Sequence, residues 1–229
     1  MGIKTVRASS QYITKSDPVN LPTGGTARCL MGWFDLVDTD PGGALLAYGI
    51  AASNEFSMMI MKAVGDVYLL GWGAGGLIIT GADIPSTGLH HIAVGIPDST
   101  HYYYYLDGVA KKSNALIGST INTPTPTFLQ AMKCPNTSYP YYNSLNNAFD
   151  LRIYNRLPSA EEIVTIYAAR GNDNIVSGLV LRWLLNEFSD GATASGAGAC
   201  KDYSGNGNHG TPTSSPVGVA APVKLFKRR

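Results

Sequence analysis

Along most of this chain apolar and polar positions alternate with a period of two, which predicts strands rather than helices. The pattern places strands at 27–36, 44–50, 56–62, 66–72, 77–80 and 90–95. Trp33 and Phe34 lie in the first of these, and Asp40-Pro-Gly-Gly43 marks the turn after it. The tyrosine-rich run 101–106 leads into Asp107-Gly108 and a return strand at 109–112. Asp-Gly between strand-like runs predicts a type I′ hairpin, because both central residues of that turn need positive φ. Alternation sends Tyr102 and Tyr104 to one side of this ribbon and Tyr103 and Tyr105 to the other, one pair packing inward.

The period changes once. Ser159 and Glu162 have the spacing of a capping box, and Ile163, Ile166 and Tyr167 then share one side of about two helical turns. This predicts a single short helix near 159–168, plugging the end or edge of a sandwich. Glu161 and Glu162 suit its positive N-terminus, a capping role and not an acid–base one. Period two resumes at 179–185, with Leu179, Leu181, Trp183 and Leu185 on one face. An apolar face carrying a tryptophan has to be covered. The predicted core comprises Trp33, Phe34, Leu69, Ile92, Val94, Leu106, Leu151, Ile153, Ile163 and Trp183.

Composition narrows the class. With 229 residues the chain can bury a substantial core without disulfides. Charged residues make up 14% and the net charge is +1, which argues against a broad nucleic-acid-binding face. Lys224, Lys227, Arg228 and Arg229 form the one basic cluster, a solvated tail or a docking segment for an acidic partner. Cys29, Cys134 and Cys200 match no zinc spacing and are expected as buried free thiols. No apolar run approaches the length of a membrane span, and residues 1–7 are too polar to predict an export signal.

The order of motifs resembles the laminin-G-like, concanavalin-A-like jelly-roll family. Ala8-Ser-Ser-Gln-Tyr-Ile13 resembles its entry strand, and the Trp33 segment the strand after it. Gly88-Leu-His-His-Ile-Ala-Val94 resembles the strand that often carries Trp-x-His, with Leu89 in place of the aromatic. Tyr105-Leu-Asp-Gly-Val109 resembles the Tyr-x-Asp-Gly hairpin, and 149–163 the closing strand and helix. The resemblance implies an all-β, two-sheet antiparallel jelly-roll sandwich with one short helix. It covers about residues 8–168.

Gly178-Leu-Val-Leu-Arg-Trp183 with Asp202-Tyr-Ser-Gly-Asn-Gly-Asn-His-Gly210 resembles the segment that usually begins such a domain, yet here it comes last. The expected organisation is a body at 1–170, a segment at 171–215 completing the sandwich, and a basic tail at 216–229. The completing segment is either permuted within its own chain, exchanged with a second subunit, or a truncated second repeat.

Candidate chemistry is sparse. Asn136, Tyr139, Tyr141, Tyr142, Asn143 and Asn147 cluster in a loop region and could stack on and hydrogen-bond a sugar, or contact a protein. Asp202, Ser204, Asn206 and Asn208 could offer oxygens to calcium, although one carboxylate is few for such a site; a set of Asx-type turns is the competing reading. No other cofactor is expected. Adjacent His90 and His91 point to opposite faces of a strand and cannot share a metal unaided.

Glycosidases need two flanking carboxylates. The Glu-x-Asp-x-x-Glu strand carried by hydrolases of the resembled family does not occur, and the chain has only four glutamates. The expectation is therefore a non-enzyme. On the resemblance, the first functional expectation is a structural or adhesive protein of a virion surface, such as a phage capsid decoration or tail-associated subunit. It would bind capsid or tail proteins or copies of itself. The alternative is an extracellular, lectin-like carbohydrate-binding module, cation-assisted or not, with a glycan as partner. Neither involves nucleic acid or a membrane.

Overall fold

A computed structural model describes residues 1–6, 9–36, 43–50, 58–63, 66–70, 76–80, 86–118, 120–133 and 146–221. Fifteen strands and one helix are assigned among them. They are β1 (Gly2–Lys4), β2 (Tyr12–Ser16), β3 (Arg28–Leu36), β4 (Gly43–Gly49), β5 (Met58–Ala63), β6 (Asp66–Leu70), β7 (Gly76–Thr80) and β8 (Gly88–Ile96). There follow β9 (His101–Leu106), β10 (Val109–Leu116), β11 (Phe128–Ala131), β12 (Asn146–Tyr154), α1 (Ala160–Ala169), β13 (Leu179–Trp183), β14 (Thr211–Thr213) and β15 (Val217–Val219). One sheet runs β10-β9-β8-β3-β12-β1-β15, with β13 also on β12; the other runs β14-β2-β11-β4-β5-β6-β7. All pairings are antiparallel, and the architecture is a two-sheet jelly-roll sandwich.

The main core lies between the sheets. Leu30 and Phe34 of β3, Ile92 and Val94 of β8, Tyr102 and Tyr104 of β9, Leu151 and Ile153 of β12, and Trp183 of β13 meet Ile13, Leu46, Tyr48 and Leu129 of the opposite sheet. A second cluster lies under α1, where Cys29, Met31, Tyr105 and Tyr154 pack against Ile163 and Ile166. The tyrosine run thus divides between the two clusters as its alternation predicts. Trp33 is buried, but in a third cluster with Phe149, flanked by Leu89 and Tyr167. Of the predicted core, the Leu69 side chain lies outside the described residues.

Local chemistry explains the joints. Asp107 and Gly108 have φ of 53° and 78°, as the hairpin demands. The Ser159–Glu162 capping box is complete, and Arg170 ends α1 in the left-handed region. Cys29 and Cys200 are buried free thiols, whereas Cys134 lies outside the described residues.

The late segment enters both sheets of its own chain. β13 pairs with β12, β14 with β2, and β15 with β1. Two expectations need correction. The stripe Leu179, Leu181, Trp183, Leu185 is broken by a register shift: Ile153 pairs with Leu181 and Tyr154 with Leu179. Leu179 therefore joins the cluster under α1, and Val180 takes a place in the main core. The expected tail does not begin at 216, since Val217–Val219 is a strand whose backbone pairs with β1.

Candidate functional site

Residues 202–208 form a clip that joins the late segment to the start of the chain. The Asp202 carboxylate accepts the Arg182 and Ser204 N–H groups on Oδ1 (3.0 and 2.9 Å) and the Asn208 N–H on Oδ2 (2.9 Å). Asn208, fully buried, accepts the Val19 N–H and donates to the Val19 carbonyl, each at 2.9 Å. Asn20 donates to Asn206 Oδ1 at 2.8 Å, and Ser204 Oγ lies 2.9 Å from Asp202 Oδ2. The structure therefore brings the four predicted cation-ligating residues together, with these side-chain oxygens hydrogen-bonded to the protein. Among the described residues no group of three or more His, Cys, Asp or Glu is placed to hold a metal ion.

Beside the clip runs an open groove of about 500 Å³, lined by Thr14, Lys15, Ser16, Gly198, Gly207, His209 and Thr211. β2 and β14 form its floor, where Thr14 pairs with Thr211. β14 is the sheet edge, which is where Pro212, lacking an N–H, is tolerated. The clip shapes the rim: the His209 ring accepts the Asp202 N–H at Nδ1 (2.9 Å), and Thr211 Oγ1 accepts the Gly198 N–H (3.0 Å). Gly210 between them has to be glycine, because a Cβ there would come within 2.6 Å of Ile13 and 2.9 Å of Trp183. The lining residues are three Thr and Ser residues, His209, Lys15 and two glycines. Such a lining is suited to hydrogen bonding a polar ligand.

Sequence reasoning did not find this groove. Its walls come from opposite ends of the chain, and only the pairing of β14 with β2 unites them. Of the predicted sugar-binding set, Asn136, Tyr139, Tyr141, Tyr142 and Asn143 lie outside the described residues, as do Lys224, Lys227, Arg228 and Arg229. Asn147 is a buried strand residue of β12, not a loop residue as expected, and it donates to Asp35 Oδ2 at 2.9 Å.

Two further polar constellations lie elsewhere. His90 Nδ1 is 2.8 Å from Asp107 Oδ2 and its Nε2 is 3.3 Å from Ser86 Oγ. The order is that of a nucleophile, base and orienting acid, but hydrolysis also requires a cleft and an oxyanion cradle. Asp107 has a second duty, accepting the His91 N–H at 2.9 Å, which ties the hairpin to β8. The other constellation is fully internal. Arg152 binds the carboxylates of Asp150 and Asp173, and Arg182 adds a second cation to Asp150. Burial opposes the Asp150 charge, yet Arg152 and Arg182 hold its pKa below the usual carboxylate value. This network joins β12, β13 and the segment after α1. Glu162 likewise serves structure, bonding Arg156 and the Ser159 N–H.

No protein-family model matches the chain, and no curated protein matches it by sequence. Solved structures do match by shape. A Bacteroides ovatus protein provisionally described as carbohydrate binding superposes with a TM-score of 0.64 over 97% of this chain, at 14% identity. A Trypanosoma rangeli sialidase in complex with a difluorinated sugar acid superposes with a TM-score of 0.50 over 65% of this chain, at 15% identity. The chain spans 60% of the Bacteroides protein and 24% of the sialidase. At these identities the likeness shows the fold alone, a two-sheet β-sandwich.

Proposed function

We propose that this chain is a non-catalytic carbohydrate-binding module and that the groove between β2, β14 and the clip is its binding surface. The observation that carries this reading is the groove lining: three hydroxyl-bearing residues, His209, Lys15 and two glycines border an open trough. Hydroxyls and ring nitrogens suit sugar hydroxyls, and a solvent-open trough admits a chain of residues as readily as a single ring. The fold supports it as well, since a sandwich of this shape occurs in a protein described as carbohydrate binding. This gives the lectin-like alternative more support than the virion-surface expectation.

The test is a glycan array followed by calorimetric titration of any hit, with Thr14→Trp as the variant that fills the trough. Binding by the parent chain and its loss in Thr14→Trp support the reading. Absence of any glycan ligand, or binding indifferent to Thr14→Trp, overturns the assignment to this groove. Turnover of a glycoside or ester, abolished by Ser86→Ala or by an Asp→Asn change, would overturn the non-catalytic part.

One observation favours a second reading, a structural subunit of a virus particle. Val109 and Leu116 are exposed on β10, the free edge of its sheet. An edge carrying exposed apolar side chains is a place where a neighbouring subunit can dock. Stoichiometric association with purified shells, without any glycan ligand, would favour that reading.

A further inference from the structure

We infer that Phe128 of β11 is the stacking platform of this groove and that the ligand is a hexopyranose glycan with a flat C–H face, a deepening that rests on the carbohydrate-binding reading of the same surface. Strand register places the residue. Ile13 of β2 and Leu129 of β11 lie in the main core. By alternation Thr14 and Ser16 take the outer face of their sheet, as do Phe128 and Gln130. Ser16 pairs with Phe128, and Thr14 pairs with Gln130 on one side and Thr211 on the other. Directly paired side chains share a face, with Cβ atoms about 4.5–5.5 Å apart. Phe128 therefore stands next to Ser16, one strand beyond the groove's own lining, and it is half-buried.

Its surroundings set Phe128 apart from Tyr12, the other aromatic residue of β2 and β11. The Lys133 ammonium lies 4.0 Å from the Tyr12 ring centroid, so one face of that ring is taken. Phe128 has Gly49 as its partner on β4, and a glycine puts no side chain beside it. Polar groups follow on the other flank. Ser16 offers a hydroxyl, which both donates and accepts. Thr14 carries a second hydroxyl one row along. His209 uses Nδ1 to accept the Asp202 N–H, so in the neutral ring the proton sits on Nε2, which is left to donate. A pyranose has the matching division. Axial C–H groups give its ring an apolar face, and hydroxyls project from its edge. An aromatic side chain suits the first and a few placed polar groups the second. A furanose ring is puckered and presents no comparable face.

The experiment compares three probes of matched length by calorimetric titration: glucopyranose, galactopyranose and fructofuranose oligomers. One or both pyranose probes should bind about tenfold more tightly than the furanose, the upper end of what an aromatic contact adds. Phe128→Ala should weaken binding of the preferred pyranose about tenfold, and Phe128→Tyr should keep the parent affinity. Phe128→Leu, apolar but not flat, should behave like Phe128→Ala. A merely structural role would follow the urea midpoints of the variants and would not separate leucine from tyrosine. Phe128→Trp adds a tryptophan whose emission, measured against the parent chain, should change on saturation with the same probe.

Unchanged affinity in Phe128→Ala, with binding still lost in Thr14→Trp, would overturn the platform while leaving the carbohydrate-binding reading intact. Equal binding of pyranose and furanose probes, or a leucine variant that binds as well as the tyrosine variant, would also overturn it. Where the array returns another glycan, the Phe128 series is run on that hit, and a hit without a pyranose ring overturns the inference. No binding of any probe, combined with an empty glycan array, would overturn both.

Discussion

Asn208 brackets Val19, accepting its N–H and donating to its carbonyl with two bonds of 2.9 Å each. A single buried amide thus fastens the late segment to a turn near the other end of the chain. The same residue's carbonyl receives the Trp183 indole N–H at 2.7 Å. The bracket orders both the core tryptophan and the rim of the groove.

Asn208→Ala should therefore destabilise the fold by about 2–4 kcal/mol, since it removes both bonds and strands the Val19 polar groups. Urea unfolding should show a lower midpoint with little change in slope. If the groove is the binding surface, glycan affinity should also fall under conditions where the variant remains folded, because the clip supports His209 and Thr211. An unchanged midpoint would mean that the bracket contributes nothing to stability.

Asp150 is shared by two arginines that face each other across β12 and β13, Arg152 opposite Arg182. Asp150 and Arg152 have side chains only 1% exposed, so neither charge can turn to water. Asp150→Asn should cost about 3–5 kcal/mol, because it leaves two guanidiniums close together with one fewer counter-charge. Replacing the whole set with apolar residues of similar volume should cost much less. The acid limb follows from the same network. Burial disfavours the ionised forms of Asp150 and Asp173, but the arginines depress both pKa values below the usual 3.8. The stability they supply is complete above that value and is lost as pH falls through their folded pKa values. Urea midpoints across the acid range, compared with Asp150→Asn, check this.

Much of this architecture was legible because local chemistry and packing agree. Asp107-Gly108 needs a left-handed pair, Ser159 and Glu162 cap each other, and Trp183 must be covered wherever its strand goes. The short strands β1, β14 and β15 were not legible. Three residues such as Thr211-Pro-Thr213 have no period to read and join the sheet through a few backbone bonds to a strand far away in sequence. The register shift opposite Ile153 was equally hidden, since it arises from the pairing of β12 with β13 and leaves no mark in the alternation. The groove inherits this difficulty. Thr14 and Lys15 look like any edge-strand residues until β14 is laid beside them.

Ser159 offers a smaller and separable test. Its side chain accepts the Glu162 N–H, and Glu162 returns a bond to the Ser159 N–H. Glu162 also pairs with Arg156, and its pKa is lowered chiefly by that hydrogen bond. Ser159→Ala should cost about 1 kcal/mol, the usual worth of an N-cap, and should leave glycan binding unchanged because α1 lies on the sheet opposite the groove. Thermal unfolding together with one titration suffices to check both parts.

His91 should dominate stability between neutral and mildly acidic pH. It is buried against Trp33, with ring centroids 5.3 Å apart, and near Tyr167, at 6.2 Å. Its Nδ1 has no hydrogen-bond partner. Burial, reinforced by the Arg152 charge, pushes its pKa down from 6.5 to about 4. The folded state thus keeps the ring neutral while the unfolded chain takes up a proton. Stability is complete above pH 6.5, falls as pH drops below it, and levels off once pH passes the folded pKa. The slope should approach about 1.4 kcal/mol per pH unit, for a total on the order of 3 kcal/mol. This window lies above that of the carboxylates, so the two are distinguishable. His91→Gln, which cannot titrate, should flatten the profile between pH 6.5 and 4 while keeping the acid limb below 4. A parent profile that is already flat in that window would mean the ring gains a proton without opening the aromatic cluster around it.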